Sequence, residues 1–408
     1  MITPANSNGN AKRVAVVNWT RRHAGGAETY VSAVLDGVTA AGREVGFWAE
    51  TDTPLDRPAL ITPAAVEQWC SNGSMRQALD ALQRWNPSVL LVNGAVDPAV
   101  ERQLLTIAPA VFIAHTYHGT CISGTKMFSF PSPRPCSRTF GPACVALFYP
   151  RRCGGLSPVT FSANYQLQRQ RLNQLGSYGR ILTLSEHMRQ EYLRQGFVHA
   201  DVQTLPPYAP ADPVTPSDNR QPAVKTLLYL GRIEHLKGCH LLIASLRRVH
   251  SALRLPLRVI IAGDGTEKAR CEHLAARICS DTLHIEFPGW LEGAARSRAL
   301  ASADVVVLPS LWPEPYGLVG VEAIAAGVPV AAFDTGGIPE WLSDGHGRLA
   351  PADPPTPEGL ARAIVECARL GKREPHSGHA LAANRTRHVM ALLAHLDDIV
   401  ARTAVRTA

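Results

Sequence analysis

Short runs of branched apolar residues, continuous rather than alternating with polar ones, recur along this chain with helical stretches between them. In the first half they are Val14–Asn18, Val89–Asn93, Val111–His115 and Ile181–Ser185, with helical spacing over Ala27–Ala41 and Glu186–Gln195. A strand that is apolar at every position must be covered on both faces, as in a parallel sheet sandwiched between helices. The series stops at Leu205–Pro216, where five prolines remove backbone donors and break any helix, so the segment reads as a linker. It resumes at Thr226–Leu230 and continues through Leu257–Ala262, Leu283–Phe287 and Val305–Leu308. The pattern predicts two doubly wound α/β domains, 12–205 and 225–383, a proline-rich linker over 206–224 and an amphipathic helix over 384–402. At 408 residues with 46% hydrophobic content, the chain can bury two cores. Ligands of such sheets bind beyond the carboxyl ends of the strands, which places a site in the cleft between the domains.

Charge and cysteine content narrow the function classes. No run of 18 apolar residues occurs, and residues 1–11 lack the basic and apolar blocks of a secretory signal, so a cytoplasmic protein is expected. The net charge of +7 is uneven: residues 1–205 hold 19 Lys+Arg against 13 Asp+Glu, and the remainder 22 against 21. Between Glu101 and Glu186 there is no acid, but there are nine basic residues: Arg102, Lys126, Arg134, Arg138, Arg151, Arg152, Arg169, Arg171 and Arg180. A positive face there suits a phosphorylated or lipid-linked acceptor and peripheral contact with the anionic inner face of a membrane; a merely solvated surface is the alternative. No recognised nucleic-acid module is present.

Two motifs of the second half carry chemistry. Gly231-Arg232-Ile-Glu-His-Leu-Lys237-Gly238 follows a strand and sets two cations at its carboxyl end. Such cations stabilise charge growing on a departing diphosphate. Glu314-Pro-Tyr316-Gly317-Leu318-Val319-Gly-Val-Glu322 puts two carboxylates eight residues apart across a glycine turn that opens a helix. The unpaired N–H groups after Gly317 attract phosphate. Glu322, inside the helix, is placed to reach ribose hydroxyls, and Glu314, in the loop before it, to reach a hexose. In the first half, Gly25-Gly26-Ala-Glu28 lets backbone approach a ligand, while the absence of Gly-x-Gly-x-x-Gly argues against NAD. His115 ends a buried strand, where it could bond a sugar, relay a proton or be structural; His118 is the weaker candidate.

Together with Ile260–Gly265, Phe287–Leu291 and Asp334-Thr-Gly-Gly-Ile-Pro-Glu340, these motifs resemble GT4-type retaining glycosyltransferases of the GT-B fold, also described as glycosyl transferases group 1. The resemblance spans essentially the whole chain and is most specific from Gly231 to Glu340. It implies transfer of a hexose-type sugar from a UDP, GDP or ADP sugar to an acceptor, with retention of anomeric configuration. It also implies catalytic roles for Arg232, Lys237, Glu314 and His115. Donor contacts would come from Gly25, Gly26, Gly289, Trp290, Leu291, Tyr316, Gly317, Leu318, Val319 and Glu322. In the family the C-terminal helix crosses back to the first domain, and catalysis generally needs no metal. Rival readings are a GT-B-type sugar-nucleotide epimerase and a non-catalytic nucleotide-sugar or membrane-binding protein.

The most individual segment is an insertion over 118–156, where Cys121, Cys136, Cys144 and Cys153 are separated by 14, 7 and 8 residues. Four thiolates could tie such a loop around a structural zinc; disulfides and unlinked thiols are the alternatives.

Overall fold

The computed structural model describes residues 12–23, 25–54, 57–71, 74–94, 97–208, 224–342 and 345–407. Most of the expected linker, residues 209–223, lies outside them. Strands β1 (Arg13–Thr20), β2 (Glu44–Thr51), β3 (Glu67–Cys70), β4 (Val89–Val92) and β5 (Ala110–Ala114) come first. A small antiparallel hairpin, β6 (Met127–Phe128) with β7 (Arg134–Pro135), follows, then β8 (Arg180–Thr183) and β9 (Val202–Thr204). The seven longer-range strands form one parallel sheet in the order β3-β2-β1-β4-β5-β8-β9.

The second sheet is built from β10 (Lys225–Leu230), β11 (Leu257–Ala262), β12 (Leu283–Gly289), β13 (Val305–Leu308), β14 (Val330–Phe333) and β15 (Gly347–Ala350). It is also parallel, in the order β12-β11-β10-β13-β14-β15. Every residue of β4, β5, β13 and β14 is buried, because each sheet has an apolar layer on either side. Both sheets turn the carboxyl ends of their central strands toward one cleft.

The last helix runs Gly378–Thr407, longer than the 384–402 expected from amphipathicity. Its start is set by Ser377, whose side chain accepts from Ala380 N–H at 3.2 Å. The preceding segment hugs the second domain, with Arg373 N–H on Gly327 C=O and His376 N–H on Ala325 C=O. The helix then packs on the first: Val389, Leu392, Leu393, Leu396 and Ile399 lie in the same core cluster as Val14, Val16, Val34 and Val111. Burying five such side chains contributes a gross roughly 7–15 kcal/mol before conformational entropy is subtracted. The fit is close at Gly37, where a Cβ would meet Val389 Cγ2 at 2.5 Å.

The insertion has more regular structure than its composition predicts, with the hairpin, a helix Pro142–Phe148 and a long helix Pro158–Leu175 behind it. It also bridges the domains, since Met127 sits in the core cluster of the second. Two more ties cross the same boundary. Tyr117 donates its hydroxyl to Pro313 C=O at 2.7 Å. The carboxylate of Glu340 accepts from the N–H groups of Glu186 and His187, at 2.8 and 2.7 Å, capping the helix Glu186–Arg194 from the opposite domain. No described helix is long and apolar enough to cross a membrane.

Candidate active site in the interdomain cleft

The cleft measures about 1490 Å3 and receives side chains from both domains. On the second-domain side, Gly238 ends the short turn His235–Lys237 in a left-handed conformation (φ 71°), and a Cβ there would fall 1.8 Å from Pro309 C=O. This approach seats Lys237 against the loop after β13. The Lys237 ammonium donates to Glu314 Oε1 at 2.7 Å and lies 4.7 Å from the centre of the Trp312 ring. Ser310 donates to the same carboxylate oxygen at 2.6 Å. Burial alone would push Glu314 up, but Lys237 and Ser310 outweigh it, and the carboxylate is held below its usual range. Arg232 stands exposed at the cleft wall, with its own carbonyl fixed by the Tyr229 hydroxyl at 2.6 Å.

The Glu314 loop is shaped from behind by Asp334-Thr-Gly-Gly-Ile-Pro-Glu340. Gly337 N–H donates to Glu314 C=O at 2.7 Å, and at Gly336 (φ 63°) a Cβ would lie 2.2 Å from that same carbonyl. A side chain at Gly336 would displace Glu314, and one at Gly337 would meet Pro315 C=O at 2.6 Å. Gly317 (φ 85°) then starts the helix Leu318–Ala325, whose first N–H groups open into the cleft. Glu322, on the buried side of that helix, forms a close ion pair with Arg296. Burial pushes its carboxyl up and Arg296 opposes the shift.

Across the cleft, Gly25 precedes and Gly26 opens the helix Gly26–Ala40, and a Cβ at Gly26 would lie only 3.7 Å from Leu318 Cδ1. The glycine loop and the Gly317 helix terminus are therefore facing walls of a narrow slot. Glu28, buried beside the loop, accepts from Trp19 Nε1–H at 2.8 Å. His115 Nε2 pairs with Asn93 Oδ1 at 2.9 Å, and burial lowers it to about 4, so the ring is neutral at physiological pH. His118 is deeper, 4.0 Å from Glu101, and lowered to about 3, again by burial first.

Gly25, Gly26, His115, Arg232, Lys237, Glu314, Tyr316, Gly317, Leu318, Val319 and Glu322 all line this one cleft, as do Trp290 and Leu291. Gly289 does not: its positive φ of 82° turns the chain so that the next two residues reach the wall. Trp290 carries Arg57 of the first domain over its ring at 4.8 Å. Sequence reasoning missed Asn93, Trp19, Ser310 and Arg296, which reach the site from separate elements; only Ser310, four residues before Glu314, had a local signal.

The four insertion cysteines are free thiols outside the cleft. Backbone pairing draws Cys121 and Cys136 together: Lys126 N–H points at Cys121 Sγ at 3.4 Å, and Lys126 C=O accepts from Cys136 N–H at 2.7 Å. Burial, then the other three thiols, pushes Cys153 up to about 12. Among the described residues no three of these sulfurs lie within 4.8 Å of one another, whereas tetrahedral zinc needs sulfurs about 3.8 Å apart. The positive face is also smaller than counted from sequence. Lys126 is buried against Glu191 at 2.7 Å and Arg180 against Asp398 at 2.7 Å, which removes two of the nine charges from the surface.

Residues 224–369 match the family described as glycosyl transferases group 1. The chain is 36% identical over 144 residues to phosphatidyl-myo-inositol mannosyltransferase of Mycolicibacterium smegmatis, covering 35% of each chain. It is 38% identical over 143 residues to glycogen synthase of Mycobacterium tuberculosis, covering 34% of this chain and 32% of the relative. The chain thus spans about a third of the length of these curated relatives. The structure of HepE from Anabaena in complex with UDP and glucose superposes over 97% of this chain and 99% of its own, with a TM-score of 0.58 and 17% identity, a likeness of fold. Residues 224–369 thus resemble the glycosyl transferases group 1, on a chain that has the two-domain GT-B fold.

Proposed function

We propose that this chain is a glycosyltransferase that moves a hexose-type sugar from a nucleotide sugar to an acceptor hydroxyl, with retention of anomeric configuration. One observation carries the reading: two cations, Arg232 and Lys237, and the open helix terminus after Gly317 face the Gly25–Gly26 loop across a single slot. The diphosphate of the donor occupies that slot. As the sugar–phosphate bond breaks, charge grows on the leaving phosphate, and fixed donors stabilise that state more than the ground state. Glu314, kept ionised by Lys237, accepts hydrogen bonds from sugar hydroxyls, and Glu322 binds the ribose. The base rests near Trp290 and Leu291. His115, neutral and oriented by Asn93, faces the transferred sugar.

The acceptor side is the first domain. Of ten large apolar side chains exposed among the described residues, Phe130, Val145, Tyr149, Leu156 and Val159 fall in or beside the insertion. They stand near Arg134, Arg138, Arg151 and Arg152, a mixture that suits a lipid-linked acceptor at the cytoplasmic face of an anionic membrane. Mannosyl transfer to a phospholipid, named for the mycobacterial relative, is acceptor chemistry of this kind. The test is to offer UDP-, GDP- and ADP-sugars with lipid and soluble acceptors and analyse the products. Nucleoside diphosphate released together with an α-linked product from an α-linked donor supports the proposal; epimerised donor without transfer, or no turnover with any donor, refutes it.

A further inference from the structure

Behind the loop that carries Arg232 and Lys237, and outside the cleft, three side chains converge from separate elements. His235 lies in the turn between the two cations, His240 in the first turn of the helix Cys239–Leu253, and Glu267 just before the helix Lys268–Ala276. One donor atom from each lies within 4.8 Å of the other two. The two imidazoles are parallel, 6° apart in plane, with centres 4.7 Å from each other. His115, His187, His388 and His395 each have a hydrogen-bond partner. His235 and His240 have no side-chain hydrogen bond among the described residues; their rings face each other, and Arg270 and Glu267 act on His240 electrostatically. Glu267 gives Oε2 to Arg270 at 2.7 Å, which leaves Oε1 for another partner.

We propose that His235, His240 and Glu267 bind one transition-metal ion of the zinc, cobalt or nickel class. Two neutral imidazoles and a carboxylate are the donor set such borderline ions prefer, and the carboxylate disfavours an anion in the same place. Bonds of about 2.1 Å draw ligand atoms to roughly 3–3.5 Å separation, a contraction of at most about 2 Å from the present spacing that exposed His235 can make by rotation. The ion would pin the phosphate-facing turn to the helix behind it. The same turn is already tied to the Glu267 segment, through Ile233 C=O to Glu267 N–H at 2.9 Å and Thr266 Oγ1 to Glu234 Oε2 at 2.6 Å. Binding itself is independent of the transferase proposal, so failure of one leaves the other standing.

Cobalt(II) is the probe, added to metal-free protein and followed by visible spectroscopy and calorimetry. The expected result is about one ion per chain, weak d–d bands without thiolate charge transfer, and a raised thermal midpoint. His235→Ala and His240→Ala should each lower affinity at least tenfold, the usual scale for loss of a metal-site group. His235 is exposed, so its variant keeps the core intact, and unchanged apo midpoints check this. Absence of binding, thiolate charge transfer from the cysteines, or affinity unchanged from the parent in both histidine variants would overturn the site.

Discussion

Removing Lys237 should damage stability and turnover together, and a second substitution should separate the two. Glu314 is 7% exposed and its carboxylate is 2.7 Å from the Lys237 ammonium. At an effective dielectric of 20 the gross attraction over that distance is about 6 kcal/mol, most of it cancelled by desolvation. Stripping one partner from a buried pair costs about 3–5 kcal/mol, and the 20% exposure of the Lys237 side chain puts this pair near the lower end, about 3 kcal/mol. Glu314 is held below its usual range, so the pair contributes stability above the unfolded carboxyl value and loses it as pH falls through the folded one. Without Lys237, burial acts unopposed and the buried charge becomes a liability at neutral pH. Lys237→Ala should therefore unfold in less urea at pH 7.5, while Lys237→Ala/Glu314→Gln should recover to within about 1 kcal/mol of the parent. Turnover should remain about 100-fold down in both, and equally in Arg232→Ala, whose exposed side chain supports little structure. A double variant no more stable than the single one would refute the buried-charge argument; near-parental turnover without Lys237 would refute its place in the reaction.

Other outcomes follow from the same geometry. Glu322→Ala should weaken nucleoside diphosphate binding in calorimetry, whereas Glu314→Ala should chiefly slow transfer; equal affinity losses would contradict that division. His118 and buried His388, lowered by burial to about 3 and about 4, stay neutral when folded. The unfolded chain binds their protons below its ordinary histidine value, so stability should fall by about 2 kcal/mol per histidine between pH 7.5 and 5, as read by urea unfolding. The unmodified protein should float with anionic vesicles at low salt and lose them as salt rises, while charge reversal at Arg134, Arg138, Arg151 and Arg152 should abolish flotation. If the insertion closes on zinc, protein purified without added metal should hold about one zinc per chain, lost in Cys121→Ser and Cys153→Ser; metal-free folded protein would leave ordinary thiols.

The strands easiest to read were those buried on both faces. Val111–His115 and Val305–Leu308 announce themselves because nothing polar interrupts them, and the structure ends or starts them within a residue of the reading. The edge strands Glu67–Cys70 and Val202–Thr204 are short and mixed, and β2 carries Glu44, Gly46 and Glu50, so neither period nor composition marks them. The helix Pro158–Leu175 was invisible for a related reason: rich in glutamine and arginine, it buries only Gln168, Gln174 and Leu175. Within the cleft, the second-domain residues were legible because one turn or one helix sets their spacing. Arg296 and Asn93 reach Glu322 and His115 from other elements, a proximity that only the folded sheet order creates. The charge count misled for the converse reason, since Glu191 and Asp398, which neutralise Lys126 and Arg180, lie beyond the acid-free stretch.

The course of the last helix has a consequence for how the chain must be made. The first domain begins at Arg13, yet the part of one sheet face over β4 and β5, beside the helix Gly26–Ala40, lacks its cover until residues 389–399 arrive. During synthesis the second domain can close while its neighbour still waits, so the domain that starts first finishes last. A shortened gene ending near residue 377 would leave Val14, Val34 and Val111 facing water, and the product should aggregate although no residue of the cleft loops had been touched. Separate expression of the first domain requires the terminal helix to be supplied, either fused through a loop or added as a peptide.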